Sequence, residues 1–222
     1  MTKLSLYYGP GACSLAPHIA LEEAGADFEA IRVALKAGQQ RTPEYRRLNP
    51  KGRVPVLTRG DWVLTEVPAI LRYVARAFPQ ARLWPQSVEA DARCAEWLAW
   101  LSSGAHVAYA HLSRAERYAS SPAALAEVVA KGVETCREVW TAIDAKLGGG
   151  PWAVGEEYSV ADPYLLAIWT WGRLPSSVTH EDPPLRLDAE RDLPNWTAHA
   201  RRMAARPAVQ RAFAREDLKF AW

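Results

Sequence analysis

The residue of this sequence best placed for chemistry is Cys13. It lies in Tyr7-Tyr8-Gly9-Pro10-Gly11-Ala12-Cys13-Ser14-Leu15, between Leu4 and Leu6 at strand spacing and an apolar run from Leu15 to Gly25. These patterns predict a strand, a Gly-Pro-Gly stop and a helix, which puts Cys13 at or just before a helix N-terminus. Unpaired backbone N–H groups and the positive end of the helix dipole favour a thiolate, a hydroxyl lone pair or a bound anion there. The same position also suits a small buried cysteine in an ordinary turn. Ser14 offers the nearest hydroxyl, to hydrogen-bond the sulfur or to cap the helix. Three residues on stands Ala16, so a C-x-x-C dithiol cycle is impossible and only monothiol chemistry is open. Tyr7 and Tyr8 point to opposite faces of a strand, so at most one reaches this site. His18 is expected on the far side of the helix, in a structural role.

The surrounding elements must hold Cys13 against a partner. Phe28 to Val33 reads as a second strand, and Lys36 to Asn49 as a loop with a short helix. Pro50-Lys51-Gly52 is a turn, followed by the apolar strand Val54-Pro55-Val56-Leu57-Thr58, whose internal proline marks an edge or a special site. Gly60-Asp61 joins it to Trp62-Val63-Leu64-Thr65 in an antiparallel hairpin. Pro68 then opens a helix whose apolar spacing runs through Val74 to Phe78, ended by Pro79. From Leu83 the pattern becomes helical throughout: one long helix from Ala90 to about Arg117, and another with an apolar face from Leu125 to Leu147. Ser159-Val160-Ala161-Asp162 has capping-box spacing, and two further helices open at Pro194 and Pro207. The segment from His180 to Asp192, rich in Pro and acidic residues, reads as a surface connection. The organisation is residues 1–83 as an α/β domain, 84–90 as linker and 91–222 as an all-helical domain.

At 222 residues and 49% hydrophobic content the chain can bury a sizeable core, and a formal charge of +2 without long charge runs argues against nucleic acid. Three widely spaced cysteines fit a reducing compartment and no metal-ligand spacing. With no 18-residue apolar window and no signal-like N-terminus, a cytoplasmic protein without a membrane span is expected.

A βαβ–ββα domain with Cys at the first helix start and an apolar-Pro-apolar strand is a thioredoxin-like arrangement. Joined to a helical domain, it resembles the cytosolic glutathione transferases, with motifs similar to the bacterial beta class. The motifs are Tyr8-Gly9-Pro10-Gly11-Ala12-Cys13-Ser14 with Pro17-His18-Ile19, Asn49-Pro50-Lys51-Gly52-Arg53-Val54-Pro55-Val56-Leu57, Leu64-Thr65-Glu66, Ser159-Val160-Ala161-Asp162 and Ala204-Ala205-Arg206-Pro207. The resemblance implies that Val54, with Pro55 cis, binds the cysteinyl unit of glutathione through its backbone. It implies that Glu66 and Val67 hold the γ-glutamyl end. Here the chain departs from the family: a Ser or Gly usually stands where it has Val67, and Pro68 offers no N–H. Cys13 aligns with the cysteine that approaches the glutathione sulfur, with Ser14 beside it. His106 stands where the family has His followed by Lys, the Lys being replaced by Val107; this His is a proton donor or acceptor near neutral pH, or a helix-surface residue without a role. Tyr8, Tyr109, His111 and Trp169 either line the electrophile pocket or belong to the core. The implied activity is conjugation of glutathione, as co-substrate and without a metal, to small apolar electrophiles by a homodimer, together with glutathione-dependent thiol-disulfide exchange at Cys13. The alternative is a ligand-binding stress protein of the same fold with little catalysis.

Overall fold

The computed structural model describes residues 3–171, 185 and 187–220. Apolar–polar alternation in β1 (Leu4–Tyr8) buries Leu4, Leu6 and Tyr8 on one face. β1 pairs in parallel with β2 (Phe28–Arg32), Leu6 opposite Ala30, and antiparallel with β3 (Val56–Arg59), Leu6 opposite Leu57. The expected hairpin adds β4 (Trp62–Thr65), giving the order β2-β1-β3-β4. Between β1 and β2 runs α1 (Leu15–Glu23); α2 (Pro43–Leu48) follows a single 3₁₀ turn, and α3 (Val67–Ala77) follows β4. This is the thioredoxin-like layer, and a helical region follows it.

α4 (Val88–Trp100) begins inside the segment expected to be linker. The single long helix expected from Ala90 to about Arg117 is present as unbroken helical backbone from Val88 to Ser113 and divides into two α-helical segments at a π turn. Residues Leu101–Ala105 form a π-helical turn, α5 spans His106–Ser113, and Ala115–Arg117 is a 3₁₀ turn. A π turn carries one extra residue per turn and shifts the helical phase, which a fixed 3.6-residue period cannot register. Gly104 permits it: a Cβ there would lie 2.8 Å from the Trp100 indole. Trp97, Leu98 and Leu101 are buried as the apolar pattern predicts.

α6 (Pro122–Leu147) is the long amphipathic helix, capped by the Ser121 hydroxyl, which accepts from Ala124 N–H. α7 (Ala161–Thr170) is buried along its whole length, and α8 (Ala189–Asp192), α9 (Pro194–Ala204) and α10 (Pro207–Arg215) follow. Of the expected surface connection from His180 to Asp192, residues 180–184 and 186 lie outside the described residues; Leu185 is buried and 189–192 are helical.

α1 is the hub. Every residue from Leu15 to Glu22 is buried, because α3, α7 and α10 pack around it on the sides the sheet leaves open. One apolar core therefore runs from Leu6 through Ile19 to Trp140, Leu165 and Phe213 without a break between the two regions. Charged clamps close its rim: Arg206 binds both Glu23 oxygens at 2.5 and 3.1 Å, and Arg211 and Arg215 meet Glu22 at 2.7 and 2.9 Å. Among the described residues no helix is long and apolar enough to cross a membrane.

Candidate active site

A cleft of about 530 Å³ opens between the edge of the sheet layer and α5, and Cys13, Val54, Pro55, Glu66, Val67, His106 and Tyr109 all border it. The Val54–Pro55 peptide is cis, as expected. The turn before it is braced from below: Tyr45 Oη and Asn49 Nδ2 both donate to the Arg53 carbonyl, at 2.9 and 2.8 Å. Gly52 is required in this turn, since its φ of +60° is left-handed and a Cβ would meet the Gln40 carbonyl oxygen at 2.9 Å. The Val54 carbonyl in turn accepts from Cys13 Sγ at 3.4 Å.

That bond shows Cys13 as a donor. Burial pushes its thiol up to about 12, outweighing the lowering by its own backbone N–H and by Arg53. The expectation that the helix start favours a thiolate is therefore reversed: desolvation of the charged form exceeds what the helix end returns. Ser14 is also not where its candidate roles require. Its hydroxyl accepts from Gly9 N–H at 3.0 Å and donates to the Gly9 carbonyl at 3.2 Å, closing the loop onto itself rather than reaching the sulfur or capping α1.

Gly11, in the same loop, is held at both of its backbone groups by the helical region. Its N–H donates to Glu216 Oε2 at 2.9 Å, and its carbonyl accepts from Trp171 Nε1 at 3.1 Å. His18, expected in a structural role, meets the other Glu216 oxygen at 2.7 Å in full burial.

Across the cleft, His106 Nδ1 and the Tyr164 hydroxyl share a hydrogen bond at 3.2 Å, and the imidazole lies edge-on to Trp171. Burial, with the nearby Arg53 charge, lowers His106 to about 4. It is neutral at pH 7 and does not titrate near neutrality as expected. Tyr109 donates to the Trp171 carbonyl at 2.7 Å and stacks on its ring. At the other end Glu66 receives Lys51 Nζ at 2.5 Å. Glu66 carries φ 73° and ψ 125°, a backbone conformation that costs a non-glycine residue about 1–3 kcal/mol and that clusters at ligand sites. Val67 begins α3 next to it, and Pro68 provides no N–H. Among the described residues no group of three or more His, Cys, Asp or Glu could hold a metal ion.

Residues 2–76 match the family described as Glutathione S-transferase, N-terminal domain, and residues 106–207 match Glutathione S-transferase, C-terminal domain. The chain is 32% identical over 219 residues to glutathione S-transferase GstA of Escherichia coli O157:H7, covering 97% of this chain and 100% of that relative. The chain belongs to the glutathione S-transferase family. Two solved structures resemble this transferase over nearly its whole length. One is a glutathione transferase homologue from Sulfitobacter with bound glutathione, TM-score 0.87 and 34% identity over 97% of this chain and 99% of that one. The other is the bacterial beta class glutathione S-transferase of Sphingomonas chungbukensis, TM-score 0.80 and 33% identity over 97% and 100%.

Two residues expected in the electrophile pocket of this glutathione S-transferase lie elsewhere. The Tyr8 hydroxyl donates to the Arg215 carbonyl at 3.3 Å and the ring packs beside His18, where it lines a separate shallow depression with Lys3 and Phe28. Trp169 is buried in the core, while Trp171, two residues later, faces the cleft. Two residues span about 200° of helix, so the two indoles point in opposite directions. His111 donates to the Val107 carbonyl at 2.9 Å and stacks on Tyr118, which itself borders the cleft. The sequence reading missed Trp171, Tyr118, Arg53, Arg114 and Arg117; the Trp169-x-Trp171 and Arg114-x-x-Arg117 spacings were its only traces.

Proposed function

We propose that this cleft binds glutathione and promotes attack of its thiolate on an electrophile held against α5. The observation that carries the reading is the Cys13 Sγ–Val54 carbonyl contact at 3.4 Å, with Glu66 bordering the same cleft. A tripeptide added as a strand takes the Val54 N–H and C=O for its cysteinyl unit. The Cys13 S–H, released from Val54, then donates to the ligand sulfur and favours its anionic form. Glu66 exchanges Lys51 for the γ-glutamyl ammonium, and the Val67 N–H at the α3 start meets the adjoining carboxylate. The glutathione thiol proton passes to water, a sulfur–carbon bond forms, and the leaving group departs with its electron pair. The apolar wall for the electrophile is Val107, Tyr109, Ala110, Tyr118 and Trp171. Neutral His106 contributes hydrogen bonding there and no charge.

Thiol-disulfide exchange is the weaker reading, because it requires a thiolate at Cys13, where burial opposes one. Sedimentation tests the homodimer expected of the family.

In the experiment that tests this function, glutathione mixed with the protein at pH 7 gives thiolate absorbance, its thiol titrating about one pH unit or more below the free value, and Cys13→Ala reverses that shift. Absence of thiolate absorbance together with no retention on immobilised glutathione overturns the reading. Glu66→Gln, which keeps the backbone and removes the charge, weakens glutathione binding roughly tenfold or more by calorimetry, the value of a charge-assisted hydrogen bond. Unchanged affinity would move the γ-glutamyl end elsewhere.

A further inference from the structure

The cleft is far more basic than glutathione requires. Lys36, Arg41, Arg53, Arg114 and Arg117 border it, against Glu66 and Glu116, and Glu66 already faces Lys51 from outside the cleft. Among the described residues no carboxylate lies within ion-pair distance of Arg41, Arg53, Arg114 or Arg117. Glutathione in its thiolate form brings two net negative charges, which leaves the occupied cleft positive.

Two of these arginines come from the helical region, within electrostatic reach of Arg41 and, for Arg117, of Arg53. Arg114 leaves the helix at the end of α5, and Ala115–Arg117 form one 3₁₀ turn. Arg114, the residue before that turn, has φ −152° and donates from Nη1 to the Ser113 carbonyl, and both Arg114 and Arg117 border the cleft. Burial and the neighbouring charge hold both below the usual arginine range: Arg117 acts on Arg114, and Arg53 on Arg117. Beside them stand the exposed apolar side chains Val107 and Tyr118, 39% and 45% accessible. Guanidiniums with no carboxylate at ion-pair distance, Glu116 acting on them from farther off, form next to an exposed apolar wall a receptor for a molecule with an apolar body and an anionic end.

We propose that the electrophile accepted by this transferase carries an anionic group, a carboxylate on an apolar or aromatic body, which Arg114 and Arg117 hold; the proposal rests on the glutathione-transfer reading above. The sheet region keeps Lys36, Arg41 and Arg53 for the glycyl carboxylate of glutathione. The expectation of a purely apolar electrophile is thereby narrowed: the body is apolar and the end is charged.

The test compares two electrophiles of one shape, 4-(chloromethyl)benzoate and 4-(chloromethyl)benzamide. In both, the glutathione sulfur bonds to the benzylic carbon, chloride leaves with the electron pair of the broken bond, and the thiol proton passes to water. For the wild-type protein kcat/KM favours the carboxylate about tenfold or more, and the preference shrinks as salt is raised. Arg114→Gln with Arg117→Gln brings the ratio close to one, while Arg114→Lys with Arg117→Lys keeps most of it, which separates lost charge from lost folding. A wild-type ratio near one, with both compounds conjugated, overturns the proposal and leaves glutathione transfer standing. No conjugate from either compound overturns both. A tenfold rise in KM for glutathione in the Gln variant with an unchanged ratio also overturns it, by assigning the two arginines to the glycyl carboxylate.

Discussion

Iodoacetamide added to the folded, glutathione-free protein at pH 8 alkylates Cys13 roughly fiftyfold more slowly than an ordinary protein thiol. Raising the pKa from 9.0 to about 12 cuts the thiolate population about a thousandfold, and the greater basicity of that thiolate returns roughly twentyfold in nucleophilicity. The sign is that of an acid whose charged form is disfavoured. The thiolate population grows tenfold for each pH unit, so the logarithm of the rate climbs with unit slope from pH 7 to 10 without a plateau. Cys94 and Cys136 are also buried and pushed up to about 12, so peptide mass spectrometry must resolve the three sites. A plateau at Cys13 between pH 6 and 8 would show that the helix end prevails over burial, and would restore thiol-disulfide exchange as the leading chemistry.

Asp162→Ala costs about 3–5 kcal/mol in denaturant unfolding and lowers the thermal midpoint by roughly 10 °C. The buried carboxylate accepts from four groups: Ala153 N–H and Ser159 N–H at 2.8 Å each, the Ser159 hydroxyl at 3.3 Å, and His199 Nε2 at 2.9 Å. Of the expected capping box, the Asp162 carboxylate accepts from Ser159 N–H, while the Ser159 hydroxyl accepts from Ala161 N–H and not from Asp162 N–H. The box is only part of the role, because Asp162 also ties α7 to the turn at Ala153 and to α9. Truncation leaves two backbone donors and a fully buried imidazole without an acceptor. With total stability of the order of 5–15 kcal/mol, the variant is close to unfolding at body temperature. A loss below about 1 kcal/mol would show that water or a neighbouring group replaces the carboxylate.

These two residues also mark what could be read before the structure. Strand alternation, Pro55 and the Gly60-Asp61 turn are local signals, and each strand lies within two residues of where those signals put it, although Pro55 immediately precedes the third strand instead of lying inside it. Asp162 was legible as a cap because a cap is local, whereas its bonds to Ala153 and His199 depend on how helices far apart in the chain cross. At Cys13 the helix dipole could be read from position, but the opposing desolvation depends on the surrounding packing. Trp169 and Trp171 were indistinguishable because α7 is buried all round and has no polar face to set its phase. Tyr8 was assigned to the correct pair of opposing faces, yet which face meets the cleft is decided by α10. Arg114 and Arg117 acquire meaning only beside Arg53 and Arg41, which arrive from the sheet layer.

The double hold on Gly11 sets an order of assembly. Its two bonds reach 160 and 205 residues along the chain, to Trp171 and Glu216. Contacts of such sequence separation form late, and a chain leaving the ribosome folds its N-terminal part first. Because α1 is covered by α7 and α10 as well as by the sheet, the Cys13 loop is fixed only once those helices have docked. Nascent chains released before Glu216 should carry a Cys13 that still reacts with solvent reagents, and closure of that window reports that the last helix has docked.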